Sequence, residues 1–151
     1  MSLYAIALFA HIVGAVLVFV LLTIEGLGLR FGFPYARLNQ VLGPISAALI
    51  LVPGIYMMAT QWGWTGWIVT GIAAWVVIAV LGAYTGIGVA RGTLTAGTVT
   101  VTWLARAGLA LGVVFDMTVK PGLSIAVAAA LVGMVLGAGL GLGIRREVRT
   151  T

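Results

Sequence analysis

TVTVTWLARAGLALGVVFDMTVKPG, residues 98–122, is apolar enough to cross a bilayer and closes on a Lys-Pro-Gly turn. The chain has eight Lys and Arg and three Asp and Glu in all, yet Arg106, Asp116 and Lys120 fall in this one stretch. Charged side chains are costly inside a membrane and tend to face a protein interior or a wet cavity, which makes them functional candidates. The turn matters as much as the charges. From residue 99 to residue 143 there are 45 residues, mainly apolar apart from those three charges, whereas one membrane-spanning helix needs about 20. Pro121 and Gly122 divide that run. Two spans are expected, at about 99–119 and 123–143.

Working outward, a first span is predicted at about 3–27, with His11 inside it and Glu25 near its end. GLGLRFGFPYARLNQ, residues 26–40, reads as a loop because glycines, Pro34, Arg30 and Arg37 interrupt the apolar pattern. The second span, about 40–60, carries Pro44 in its first turns and Pro53 in its interior. An interior proline removes a backbone donor and kinks the helix, which membrane bundles tolerate when neighbours satisfy the freed carbonyl. QWGWTGW, residues 61–67, is an uncharged turn whose indoles suit the headgroup level. A third span follows at about 66–90, then a loop around Arg91.

The fold expected is therefore all-α: a polytopic membrane helix bundle of five transmembrane helices, forming a single domain over residues 1–151. Four is the alternative count, and the charges favour five. With five spans, Arg30, Arg37, Arg91 and the tail arginines Arg145, Arg146 and Arg149 share one side, against only Lys120 on the other. The positive-inside rule then sets the N-terminus out and the C-terminus in.

Composition narrows the function classes. The chain is 62% hydrophobic and 7% charged, with a mean hydropathy of +1.22, whereas a soluble domain is roughly 25% charged. The lipid bilayer is its expected surroundings, and soluble-enzyme readings have no feature to rest on. The net charge of +5 sits on arginines scattered at the ends of apolar runs, which speaks for topology control rather than a nucleic-acid patch. There is no cysteine, so disulfides and thiolate chemistry are excluded. MSLY supplies no positive region ahead of the apolar run, and the first segment is read as a retained span. Gly133, Gly137 and Gly141, like Gly108 and Gly112, recur every four residues. Such spacing lets helices approach closely, either within the protomer or against a second copy or a larger membrane complex.

Four charges and three softer side chains are the candidates for chemistry. Glu25 and Arg106 are expected at comparable depth and form the natural cross-helix pair. Asp116 and Lys120 are four apart, acid first, the favourable order for a helical pair. His11 is the one histidine, and imidazole is the commonest metal ligand. Met57 and Met117, with Met58 beside the first, are expected in the same half of the membrane as His11. Thioether and imidazole together suit Cu(I), so His11, Met57 and Met117 are the candidate metal set. A haem held by two histidines is excluded within one chain; a His–Met haem or a quinone-linked redox role is the weaker alternative. The glycine runs at 86–88 and 137–143 lack the strand-to-helix setting of a phosphate loop. No catalytic residues are assigned.

FAHIVGAVLVFV in the first span and VVFDMTVKPGL closing the fourth resemble small bacterial integral membrane proteins of unknown function allied to the copper-resistance protein D family. The matching residues are His11, Gly14, Met117, Lys120, Pro121 and Gly122, and GIYMMATQWGWTGW is similar to the turn between two middle spans of that group. For the copper-resistance branch the resemblance implies copper handling across a bacterial inner membrane. For the smaller relatives it implies no established activity.

Overall fold

A computed structural model describes the backbone of residues 2–150 and the side chains of residues 2–144. The side chains of Arg145, Arg146 and Arg149 thus lie outside the described residues. Five helices, and among the described residues no strand, make up the chain: α1 (Leu3–Phe31), α2 (Ala36–Met57), α3 (Gly66–Ala90), α4 (Ala96–Val119) and α5 (Leu123–Thr150). All five are long and apolar enough to cross a membrane. Large apolar side chains stand exposed along each of them, among them Phe9, Val52, Val80, Leu111 and Leu140. Apolar surface this extensive fits contact with lipid. The chain is an all-α, multi-pass membrane protein.

The helices divide into two compact units, Met1–Trp64 and Thr65–Thr151. The first is a hairpin of α1 and α2. Ser2 caps α1 by accepting from the Ala5 N–H at 3.3 Å. Gly32 ends it in the left-handed region at φ 74° and returns its N–H to the Gly28 carbonyl, a conformation that glycine adopts without steric cost. The expected loop 26–40 shrinks accordingly to residues 32–35. Glycines 26 and 28 are helical, and the missing Cβ at Gly28 admits the Tyr35 ring against α1. Glu25 consequently lies about 9 Å short of the helix end, at the α-helical rise. At its far end α2 widens into a π turn, Met58–Trp62, so that residues 61 and 62 belong to the helix rather than to the turn. Trp62 then donates its indole N–H to the Tyr4 hydroxyl at 3.1 Å.

The second unit packs α3, α4 and α5 around Ala74, Leu109 and Ala130, one residue from each helix. Its tightest seam is α4 against α5. A Cβ on Gly108 would run into the Gly133 carbonyl, and one on Gly137 into the Leu104 carbonyl. Gly112 faces Ala129 and Ala130, and Gly141 faces Val101. The four-residue glycine pattern is therefore used inside the chain, leaving those faces filled. The Lys-Pro-Gly turn closes the seam as expected, with Lys120 in the left-handed region at φ 53°.

Candidate functional site

In the first unit the polar groups form a ladder between antiparallel helices. Pro53 has no N–H to give to the carbonyl four residues back, that of Leu49, although α2 runs on through this turn. His11, on α1, meets that turn: its Nδ1 lies 2.8 Å from the Ile50 carbonyl oxygen. A carbonyl only accepts, so Nδ1 carries the proton of this contact, and in the neutral ring that leaves Nε2 as the nitrogen with the lone pair. Gly54 leaves room for the ring, since a Cβ there would stand 3.2 Å from His11 Nδ1. Three residues further along α2, on the face that carries Ile50 and Gly54, Met57 is buried at 8% exposure. One step inward, Ser46 donates to the Gly14 carbonyl at 2.9 Å. Near the other end of the hairpin Glu25, 3% exposed, accepts from Asn39 Nδ2 at 3.5 Å.

The second unit holds the other charges. Arg106 is buried in α4, its Nε donating to the Thr102 carbonyl at 3.3 Å. Gly82 of α3 makes space for the guanidinium, because a Cβ there would meet Nη1 at 3.3 Å. Thr85 of α3 donates to Thr102 Oγ1 at 3.0 Å and ties the two helices at this level. Met117 rests its methyl group on Gly71 of α3, 2.6 Å from where a Cβ would be. That contact gives Met117 a packing role inside its own unit.

Asp116 departs from expectation. It is fully buried at 0% exposure, and neither carboxyl oxygen has a hydrogen-bond partner among the described residues. The predicted Asp116–Lys120 helical pair fails because α4 stops at Val119. Lys120 lies beyond the helix, in the left-handed conformation, and its ammonium sits 5.8 Å from the centroid of the Trp67 ring. The i to i+4 rule holds only where both residues are helical.

Compared with known protein families, with curated proteins and with solved structures, the chain finds no match in any of the three.

The predicted sites therefore fall into local settings that the structure defines unit by unit. His11 and Met57 belong to the first unit and Met117 to the second, as Glu25 belongs to the first and Arg106 to the second. Among the described residues no group of three or more His, Cys, Asp or Glu side chains is arranged to hold a metal. The residues that sequence reasoning missed are neutral: Ser46, Asn39, Gly54 and Thr70. Pro53-Gly54 was the available signal for one of them, because a kink beside a glycine invites a side chain from the facing helix.

Proposed function

We propose that this protein handles a metal ion at the first unit, with His11 Nε2 as the coordinating nitrogen and copper as the metal its donors favour. The observation that supports this reading is the Nδ1–H of His11, donated to the Ile50 carbonyl. Metal-bound histidines characteristically give their second N–H to a carbonyl or carboxylate, which fixes the tautomer and the ring. Here that orientation is preformed. Met57 is buried on the facing helix, and a thioether beside an imidazole suits Cu(I). Met117 keeps the lesser claim, because its methyl group packs on Gly71. The resemblance to the copper-resistance group rests on residues that include His11 and Gly14. The arginine distribution further supports a chain of the bacterial inner membrane with its N-terminus out. Glu25 in the first unit and Arg106 in the second then each lie toward the inner face, as buried charges that lock helices or serve a small solute.

Cu(I) titration of the purified chain in mild detergent tests the reading. Near-stoichiometric binding is expected, falling at least tenfold in His11→Ala, in line with the loss of one ligand. An unchanged affinity in that variant removes His11 from the site. A Soret band in the same preparation would replace copper with haem. The accessory-subunit alternative has less to stand on, because the glycine faces that would have met a partner pack inside the second unit.

A further inference from the structure

Asp116 takes no part in that reading and raises its own question. An ionised carboxylate offers about four lone-pair sites, and burying one without a donor or counter-charge costs several kcal/mol. The usual sources of relief are missing from the helices around it. α3 (Gly66–Ala90) contains no charged residue, and its one titratable side chain, Tyr84, lies near the opposite end. The described side chains of α5, Leu123 to Ile144, include no titratable group. On α4 itself Arg106 is ten residues back, about 15 Å at the helical rise, and Lys120 sits over Trp67 outside the helix.

The seam between α4 and α5 fixes what stands across from the carboxyl. Val101 meets Gly141, Leu104 meets Gly137, Gly108 meets Gly133, and Gly112 meets Ala129 and Ala130. One turn further, the same register sets Asp116 opposite Ala126, which is fully buried and has nothing to donate. On α3, the contact between Gly71 and Met117 brings Thr70 to the level of Asp116. Thr70 is buried, and its hydroxyl hydrogen is given to the Gly66 carbonyl at 3.0 Å. Its oxygen is left to accept, as the carboxylate oxygens are. Nearer the end of the unit, where Gly66 touches Leu123, the Thr65 hydroxyl is also buried without a partner.

The Asp116 carboxylate, without a donor, and the Thr70 oxygen, whose hydrogen is already given away, are both served by a cation. One carboxylate among neutral oxygens is balanced by a single positive charge, and hard oxygen donors select alkali ions over soft metals. We propose that Asp116 and Thr70 hold a small monovalent cation of the sodium class, reached past Thr65 at the Trp67–Lys120 end of the second unit. The site is independent of His11 and of any metal bound there.

Thermal unfolding of the purified full chain, measured against NaCl with choline chloride at matched ionic strength, tests the proposal. A ligand that binds only the folded state raises the apparent Tm as its concentration rises past Kd. The expected result is a rise with sodium that choline does not reproduce, that is absent in Asp116→Asn, and that needs about tenfold more sodium in Thr70→Val. Equal responses to the two salts, or a sodium response kept by Asp116→Asn, overturns the site. An infrared carboxylic-acid band assignable to Asp116 at every sodium concentration also overturns it, since a proton then fills the role. Should Asp116→Asn not fold, radiolabelled sodium binding to the unmodified chain decides the matter: saturable uptake displaced by lithium is expected, and no uptake refutes the site.

Discussion

The two units solve the same packing problem by opposite means. In the α1–α2 hairpin, side chains reach across to the facing helix: Ser46 to the Gly14 carbonyl, His11 to the Ile50 carbonyl, Trp62 to the Tyr4 hydroxyl. In the α4–α5 seam the backbones themselves touch, each glycine set against the facing helix's main chain, as Gly108 is against Gly133 and Gly137 against Leu104. Lipid supplies no hydrophobic drive between helices, so association rests on close packing or on interhelical hydrogen bonds. Each unit relies chiefly on one of the two. The polar hairpin can therefore be tuned in steps of about 1 kcal/mol, one interhelical hydrogen bond at a time, while the glycine seam accepts or refuses a side chain outright.

The largest effect that would break this contrast lies in the seam. Gly133→Val sets a branched side chain against the Gly108 carbonyl, and a loss of about 3 kcal/mol is expected, the upper range for overpacking. Protease resistance of the second unit in detergent reads it directly. Wild-type resistance in this variant would mean that α4 and α5 are not joined by backbone contact. Ser46→Ala in the hairpin is smaller. Removing its bond to the Gly14 carbonyl is expected to cost about 1 kcal/mol in denaturant unfolding, within the range for one interhelical hydrogen bond in a membrane. A loss as great as that of the valine variant would erase the distinction between the units. Gly139→Ala sharpens the contrast from the other side. A Cβ at residue 139 meets nothing within 4 Å, so stability should hold or rise by up to about 1 kcal/mol, the helical cost of glycine. Gly139 sits two residues from Gly137 on the same helix, and only the face differs.

Much of this architecture was legible in the sequence because it follows from length and punctuation. The 45-residue apolar run split at Pro121-Gly122 had to become two helices, and it did. Helix ends were less legible. Hydropathy marks where lipid contact stops, not where hydrogen bonding stops, so α1 runs on to Phe31 through glycines that looked like loop. The π turn at residues 58–62 has no composition of its own. For the candidate sites, residue type was readable and surroundings were not. His11 stood out as the one histidine, and Pro53 as a kink, but nothing in the sequence tied one to the other. Asp116 and Lys120 looked like a pair because spacing assumes a continuous helix, and one residue in the left-handed region undid that assumption.

The glycine seam has a further property, which resembles that of a vernier scale. Marks that repeat every four residues on two sliding rules align at more than one setting. Moving α5 by one repeat would bring Gly112 to Gly133 and Gly108 to Gly137, glycine on glycine once more. Fit alone therefore cannot select the setting. The selection falls to the tether. Residues 120–122 join the helices with three residues, too short to release the roughly 6 Å that one repeat requires. The Lys-Pro-Gly turn thus acts as the stop on the scale, and it decides that the register sets Asp116 opposite Ala126 and not Ala130, one repeat along.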